Sequence, residues 1–151
     1  MDNMEHVILF HYLIHRLVHN KQIYKYIHKK HHTHHKPQII TTYFQSPIDI
    51  LLTNVLPAIL TIYILGFSYY HLCLWLSYKL FIEIIGHSGK KSRASSFVQF
   101  MWLPKWLNIE LHNKDHDVHH SHFNCNYSKR FKLWDIIFGS YKEISDEKNE
   151  Q

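Results

Sequence analysis

A long apolar run restricts the folds that this sequence can adopt. Within residues 48–86, formal charges occur only at Asp49, Lys79 and Glu83. Gly66 begins an interruption near the middle of the run, and Ser68 is a suitable N-cap for a second helix. Each half would form a helix of about 16–18 residues, roughly 25 Å long, whereas a comfortable membrane span needs about 20 residues. The run therefore predicts a helical hairpin that dips into a bilayer or just crosses it. A buried hairpin in a soluble protein is the alternative.

Basic residues flank the apolar run on both sides: Arg16, Lys21, Lys25, Lys29, Lys30 and Lys36 before it, and Lys90, Lys91 and Arg93 after it. Lysine and arginine beside an apolar segment are preferred on the cytosolic face of a membrane. The formal net charge of +5 would also suit a nucleic-acid-binding protein. The sequence contains no motif of such a protein, and we therefore expect no nucleic-acid partner. Its two cysteines are too few for a disulfide scaffold, which favours a reducing compartment.

The segments on either side of the apolar run are also predicted to be largely helical. Residues 4–35 lack glycine and proline and carry apolar side chains at helical spacing, which predicts one or two helices. Lys36-Pro37 ends this pattern, and the stretch that follows it is expected to be extended. A loop with aromatic anchors, suited to a membrane interface, is predicted over residues 90–108. A further helix is predicted from about Leu107 to His120.

These features predict an all-α protein without a sheet, folded as an integral membrane helical bundle. We expect a single domain over residues 1–151, with its core at about 10–141 and a polar tail at 142–151.

Most of the 16 histidines fall into clusters whose spacing suits a helix. Residues three or four positions apart on a helix project from the same side. This spacing joins His15 with His19; His28 with His31 and His32; His112 with His116, His119 and His120; and Glu83 with His87. Because a hairpin returns the chain to the side that it left, the clusters before and after it would meet on one face of the membrane.

The number of clustered histidines indicates a site for two metal ions. Neutral imidazole is a good ligand for zinc, iron, copper and nickel, and a single catalytic zinc uses about three protein ligands. The cysteine spacing does not suit an iron–sulfur cluster or covalent haem. A histidine-rich site at a membrane thus favours non-haem iron and dioxygen; the alternative is a surface that collects metal adventitiously. Six histidines are each expected not to bind metal: His6, His11, His34, His35, His71 and His122.

The histidine boxes and the segments between them resemble the fatty acid hydroxylase/sterol desaturase superfamily. The boxes are "HRLVH" at 15–19, "HKKHH" at 28–32 and "HDVHH" at 116–120. Further similarities are "SPIDIL" before the hairpin, "GHSG" at 86–89 and "WDIIFGS" at 134–140. The resemblance extends from about Phe10 to Tyr141. Within the superfamily, the run "HDVHHSHFNCN" is most similar to the cholesterol 25-hydroxylase branch.

The resemblance implies a membrane oxygenase with a di-metal centre. Two iron ions, for which zinc can substitute in a purified sample, would activate dioxygen to hydroxylate or desaturate an unactivated C–H bond of a lipid. Carried over position by position, the metal ligands would be His15, His19, His28, His31, His32, His87, His116, His119 and His120.

The resemblance also implies partners and a location. Electrons would come from reduced pyridine nucleotide through a membrane-bound reductase or haem carrier. The protein would reside in the endoplasmic reticulum membrane with its metal site facing the cytosol. The branch favours hydroxylation of a sterol; a sterol desaturase, a sterol methyl oxidase and a fatty acid hydroxylase stay open as alternatives. The alternative of a different class is a non-catalytic metal-binding membrane protein.

Other positions are assigned through the same resemblance. Asp117 and Asn126 would orient imidazoles by hydrogen bonds. Where the 25-hydroxylase branch has a histidine, this chain has Asp115, and either His112, an additional candidate ligand, or Asp115 itself would compensate. Glu83 is a second additional candidate, because some relatives have a ligand histidine at its position. The chain begins roughly ten residues before the first box, where relatives have further membrane helices, so we expect a shortened version of the family fold.

Overall fold

The chain is largely helical in the residues that its computed structural model describes, which are 2–35, 38–87, 105–129 and 131–143. The β-type pairing within these ranges is limited to an isolated bridge between Glu110 and Phe131. The α-helices are α1 (Asp2–Val18), α2 (Tyr24–Ile27), α3 (Pro47–Ile50), α4 (Leu56–Leu65), α5 (Tyr69–Gly86), α6 (Asn113–His122) and α7 (Leu133–Ile137). The prediction of a helical protein without a sheet is therefore confirmed for the described residues.

Helices α3 and α4 form one continuous rod through a π-helical segment, Leu51–Val55. The Ser46 hydroxyl caps the start of this rod by accepting the backbone N–H of Asp49 at 3.2 Å. The rod ends at Gly66, whose φ of 59° lies in the left-handed region that glycine adopts without steric cost. Pro47–Ile64 has a mean hydropathy of 1.7 and, among the described residues, is the one helix long and apolar enough to cross a membrane.

Helix α5 returns antiparallel to this rod. It begins directly after Ser68, as predicted, and the Ser68 hydroxyl bonds to the His71 ring at 2.8 Å. Further along, the Lys79 ammonium donates to the side-chain oxygen of Asn54 in the π-helical segment at 2.7 Å. The predicted division of the apolar run into two helices at Gly66 is therefore confirmed.

The described part of the chain buries polar side chains and exposes apolar ones. Its buried apolar residues are Tyr12, Val18, Leu111, Val118, Cys125 and Tyr127, whereas the buried polar set is larger and includes most of the clustered histidines. Large apolar side chains along the rod and α5 are exposed, with Tyr63 at 86% and Leu74 at 71%. Extended apolar surface of this kind is typical of contact with lipid or with another protein.

Helix α6 starts later than the sequence predicts. It begins at Asn113 instead of about Leu107, because the Asp115 carboxylate accepts the backbone N–H of His112 at 2.9 Å and fixes the first turn there. It continues past His120 to His122, where Phe123 takes a positive φ of 61° and ends it.

The connection before α3 also differs from its prediction. Instead of being extended throughout, it contains a 3₁₀ turn at Ile39–Thr41, in which the Thr41 hydroxyl bonds to the backbone of Gln38. Lys36-Pro37, most of the predicted loop over 90–108 and most of the polar tail lie outside the described residues. Within that loop, Trp106 is described and is exposed.

Candidate metal centre

Nine buried histidines form two groups of closely spaced ring nitrogens. Each ring is at most 7% exposed. Within each group the nearest nitrogens all lie within 4.8 Å of one another. We call the first group site A (His15, His19, His28, His32 and His119) and the second site B (His31, His87, His116 and His120). These are the nine positions that the family resemblance singled out, and the predicted convergence of the boxes, including His28 with His119, is confirmed.

The box from His28 to His32 reaches both sites because it is not a continuous helix. Helix α2 ends at Ile27, with His28 as its C-cap, and a 3₁₀ turn follows at His31–Thr33. A 3₁₀ turn is tighter than an α-helical turn. The ring of His31 lies in site B, whereas its neighbours in the box lie in site A.

Hydrogen bonds at Nδ1 fix three rings of site A. The His15 Nδ1–H donates to the Tyr127 carbonyl at 2.6 Å, and the His119 Nδ1–H donates to the Cys125 carbonyl at 2.7 Å. The His28 Nδ1–H donates to the Asp49 carboxylate, both oxygens of which lie 2.8 Å away. Because a neutral imidazole has one proton, each of these rings presents an Nε2 lone pair to the interior of the site.

These lone pairs face one another at the spacing of metal ligands. The Nε2 atoms of His15 and His28 are 3.2 Å apart, as are those of His19 and His32. His15 and His28 have no proton left to share across this gap, so a cation between the nitrogens would relieve their repulsion. Metal–nitrogen bonds of about 2.1 Å at near-right angles place ligand atoms roughly 3.0–3.2 Å apart. The donor set of site A therefore fits a transition-metal ion.

Site B repeats this arrangement with fewer rings. The His87 Nδ1–H donates to the Glu83 carbonyl at 2.8 Å, and the His116 Nε2 lies 3.2 Å from the Nε2 atoms of both His87 and His120. His31 borders these three rings, but its Nδ1 contacts the side-chain amide of Gln45 at 3.3 Å. These three nitrogens, two of which contact the third, also fit a metal ion.

Burial lowers the pKa of all nine imidazoles, because desolvation disfavours the charged ring. The pKa of His119 falls to about 3 and that of His120 to about 2. For most of the set, neighbouring imidazoles lower the pKa further, whereas at His28 the Asp49 carboxylate opposes the effect of burial. The rings are therefore neutral at physiological pH, which is the form that binds metal.

Two buried aspartates that the sequence analysis did not assign support site A. Asp49 contacts His28 directly. Asp135 accepts the backbone N–H groups of Tyr127 and Ser128, each at 2.9 Å, and thereby holds the segment whose carbonyl orients His15. Asp49 is a lone acid at the start of the apolar run, and Asp135 lies in the "WDIIFGS" segment. Both positions could therefore have been identified from the sequence as candidates for a role at the site.

The two residues predicted to orient imidazoles do not orient a ring of either site in the described part of the chain. One carboxylate oxygen of Asp117 is buried without a hydrogen-bond partner among the described residues, and burial raises the pKa of this carboxyl. The Asn126 side chain bonds to the backbone of Lys142 and to the Asp115 carbonyl, so it ties the chain after α6 to the C-terminal segment. The orienting partners are Asp49 and three backbone carbonyls instead.

The two additional candidate ligands lie outside both sites. The backbone of His112 caps α6, and its ring lies 3.4 Å from the Glu110 carboxylate. The Glu83 carboxylate pairs with the ammonium groups of Lys129 at 3.0 Å and Lys79 at 3.7 Å, while its carbonyl orients His87. Glu83 therefore acts on site B through its backbone.

The histidines predicted not to bind metal lie outside both sites, as far as the structure describes them. These are His11, His34, His35, His71 and His122. The side chain of His6 lies outside the described residues.

A cavity of about 480 Å³ borders site A. His19 and His32 contribute to its lining, together with Tyr24, Phe123 and two lysines. The Tyr24 ring stacks on the His19 ring, with centroids 5.4 Å apart. This cavity gives site A a route to the protein surface.

Comparison with known proteins places the chain in a family. Residues 6–140 match the family model described as fatty acid hydroxylase. The chain is 28% identical over 118 residues to the fatty acid hydroxylase vlmA of Lecanicillium sp, a match that covers 71% of this chain and 32% of that protein. It is 53% identical over 30 residues to cholesterol 25-hydroxylase of Homo sapiens, covering 20% of this chain and 11% of that protein. No solved structure matches the chain.

The chain thus spans a third or less of the length of these two curated relatives. The family model nevertheless covers most of the chain, from before the first histidine box to beyond the last. The chain belongs to the fatty acid hydroxylase family, within the superfamily that its histidine boxes resemble.

Proposed function

We propose that this protein is a membrane oxygenase that uses two iron ions and dioxygen to hydroxylate a C–H bond of a lipid. The observation that carries the proposal is the pair of buried histidine groups, in which the Nε2 atoms of neutral rings face one another across 3.2 Å. Membership of the fatty acid hydroxylase family supports an oxidoreductase. When bound at these two sites, iron would supply the redox chemistry that activates dioxygen.

The residues around the histidines would hold the rings and exclude water. The Tyr127 and Cys125 carbonyls and the Asp49 carboxylate fix three rings of site A, and the Glu83 carbonyl fixes His87 of site B. Such partners set the orientation and the tautomer of metal-binding histidines. Burial of all nine rings would protect a reactive centre from solvent.

The apolar rod would give a lipid substrate access from the membrane. Its first turn carries Asp49, which contacts site A, while only 18% of Pro47–Ile64 as a whole is buried. A substrate lying beside this helix would approach the metal centre without entering water.

For the substrate, we propose a sterol that is hydroxylated on its side chain. The support is the similarity of "HDVHHSHFNCN" to the cholesterol 25-hydroxylase branch and the 30-residue match to the human enzyme of that name. A fatty acyl chain is the second candidate, favoured by the 118-residue match to vlmA. Desaturation or sterol methyl oxidation would use the same metal centre.

The proposal includes a location and an electron donor. Lysine and arginine residues before the apolar run favour an orientation with the site facing the cytosol, and the family resemblance favours the endoplasmic reticulum membrane. Electrons would arrive from reduced pyridine nucleotide through a membrane-bound reductase or a haem carrier.

Metal analysis and isotope labelling test this function. The protein purified in detergent should contain about two iron ions per chain. Cells that express it, supplied with cholesterol, a compatible reductase and ¹⁸O-labelled dioxygen, should form a monohydroxylated sterol with one labelled oxygen atom. Label in fatty acyl products alone would favour the second candidate. Label in neither product, from folded and iron-loaded protein, would favour a non-catalytic metal-binding membrane protein.

A further inference from the structure

A buried ion pair lies beside site B. The Lys129 ammonium donates to the Glu83 carboxylate at 3.0 Å, and the two side chains are only 12% and 5% exposed. Lysine and glutamate are almost never buried to this extent unless they are paired. Glu83 lies one helical turn before His87, and its carbonyl accepts the Nδ1–H of that ring at 2.8 Å. The ion pair is therefore attached to a ring of site B.

Lys129 extends from a segment that also orients a ring of site A. Asp135 accepts the backbone N–H groups of Tyr127 and Ser128, each at 2.9 Å. The Tyr127 carbonyl in turn accepts the Nδ1–H of His15 at 2.6 Å. Lys129 directly follows these two residues. The hydrogen bonds that hold the segment therefore also determine where the lysine side chain begins.

A second ammonium group shares the Glu83 carboxylate. The Lys79 ammonium lies 3.7 Å from Glu83 and donates to the Asn54 side-chain oxygen at 2.7 Å. Two ammonium groups and one carboxylate leave an excess of one positive charge among Lys79, Glu83 and Lys129. Because the side chains of both lysines are only 12% exposed, water screens this charge weakly.

The charge of Lys129 acts on every ring of site B. It lowers the pKa of six imidazoles, because a nearby cation disfavours a proton on the ring. At His87, the Glu83 carboxylate opposes this effect but is the weaker of the two. The positive charge is therefore only partly neutralised where it meets site B. The six rings are His31, His87, His116 and His120 of site B and His28 and His119 of site A.

Site A has a carboxylate beside its rings instead. Both oxygens of the buried Asp49 side chain lie 2.8 Å from the His28 Nδ1. Asp49 raises the pKa of His28, and this effect exceeds the opposite one of Lys129. A carboxylate that accepts the proton of a metal-binding imidazole makes the ring a better ligand. The two sites thus differ in the charge next to them, which is negative at site A and positive at site B.

We propose that Lys129 weakens metal binding at site B, so that the two ions bind in a fixed order, at site A before site B. All nine histidines keep their role as ligands. A fixed cation repels a metal ion as it repels a proton on the ring, and burial strengthens the repulsion. Glu83 is the positioning residue, because its carboxylate holds the ammonium while its carbonyl holds His87. The inference rests on the proposed function, because it requires metal ions at both sites.

Stepwise zinc binding separates this inference from the proposed function. The zinc affinities of protein purified in detergent would be measured by competition with chelators of known affinity. We expect two steps that differ about tenfold or more. Asp49→Asn should weaken the tighter step and Glu83→Gln the weaker one, since each replaces a carboxylate by an amide of the same shape. A wild type that binds no metal would overturn the proposed function and this inference with it. Two ions bound with equal affinity, or a Glu83→Gln variant that weakens the tighter step, would overturn the inference alone.

The two members of the ion pair should change the zinc affinity of site B in opposite directions. Lys129→Met removes the cation and should raise this affinity about tenfold, whereas Glu83→Gln leaves the cation without its carboxylate and should lower it about tenfold. The double variant should lie between the two. Lys129→Arg, which keeps the charge, is the matched control and should stay within about threefold of the wild type. A purely structural ion pair would weaken binding in both single variants, and that result would contradict the proposal.

The order of binding can also be measured on the wild type alone, so that a folding defect in a variant does not affect the result. ¹H–¹⁵N NMR spectra of protein with ¹⁵N-labelled histidine would be recorded as zinc is added. Site A contains five rings and site B four. We therefore expect the signals of five imidazoles to change with the first equivalent of zinc and those of four with the second. The reverse order, or a simultaneous change of all nine, would overturn the proposal.

Discussion

His119 and His120 are neighbours in the chain, yet their imidazoles lie in different sites, with ring planes 86° apart and centroids 5.8 Å apart. His119 belongs to site A, where its Nδ1 is held by the Cys125 carbonyl, and the His120 Nε2 lies 3.2 Å from that of His116 in site B. Successive side chains on a helix point about 100° apart. The pair therefore connects α6 to both sites at once.

We predict that the double variant His119→Ala/His120→Ala loses most of its metal from both sites, together with its oxygenase activity. Elemental analysis of the purified protein and the labelled-dioxygen assay would measure the two losses. His122→Ala is the matched control, because His122 lies on the same helix with its ring hydrogen-bonded to Ser121 and outside both sites. Full metal occupancy in the double variant would refute the ligand assignment.

We predict that Asp49→Asn weakens metal binding at site A about 10- to 100-fold, because removal of the carboxylate charge makes His28 a poorer donor. Competition with a chelator of known affinity would measure the change. Asp117→Asn is a suitable control, since it removes a carboxylate near the last box that orients no imidazole in the described structure. Equal affinities of Asp49→Asn and the wild type would show that the charge of Asp49 does not contribute.

We predict that the metal-free protein becomes less stable as pH falls below about 6.5, the ordinary pKa of histidine. The pKa values of the buried rings are lowered in the folded state, that of His119 to about 3 and that of His120 to about 2. The unfolded chain therefore binds protons first, and each ring that stays neutral when folded costs about 1.4 kcal/mol of unfolding free energy per pH unit.

Thermal unfolding between pH 8 and pH 5, in detergent with a chelator present, would measure this dependence. The midpoint should fall with pH, and His119→Gln, which lacks one of the rings, should show a shallower fall. A midpoint that is constant or rises on acidification would contradict the prediction.

We predict that Asp135→Ala destabilises the fold by about 3 kcal/mol or more, because a buried carboxylate that accepts several hydrogen bonds is lost. Asp135 bonds to the backbone N–H groups of Tyr127 and Ser128 and to the Ser140 hydroxyl at 2.7 Å. Since the Tyr127 carbonyl orients His15, site A should also bind metal more weakly. Denaturant unfolding and metal titration would measure both effects, and Asp135→Asn, which keeps one acceptor oxygen, should lie between the variant and the wild type.

The spacing of the histidines, together with the resemblance of their boxes to the superfamily, was sufficient to predict which histidines converge; spacing alone also grouped His112, which lies outside both sites. The spacing of His15 with His19, and of His116 with His119 and His120, places rings on one side of a helix, and the turn at Gly66 brings the chain back toward its start. These are local properties, which depend on residue type and separation. They also predicted the two helices of the apolar run.

The partners of the rings were not predicted, because most of them are backbone atoms. The carbonyls of Tyr127, Cys125 and Glu83 act whatever side chain their residue has. Asp117 lies within the last box, but it directly follows His116 and therefore points about 100° away from it around the helix. The start of α6 was also predicted wrongly. The apolar residues around Leu107 indicated an earlier start, but the contact between the Asp115 carboxylate and the backbone of His112 places it later.

The π-helical segment Leu51–Val55 determines which way Asn54 faces relative to Asp49. In a regular α-helix, side chains five residues apart diverge by about 140° around the axis. The wider π turn, in which hydrogen bonds join residues five apart, brings such positions back into alignment. One face of a single helix therefore lies toward both histidine groups. Asp49 contacts His28 of site A, and Asn54 bonds to Gln45, which precedes the helix and contacts His31 of site B. Deletion of one residue from this segment would restore an α-helical register and rotate Asn54 away from Gln45. The extra residue of the π turn thus sets the rotation about the helix axis at which Asp49 is directed toward site A and Asn54 toward site B.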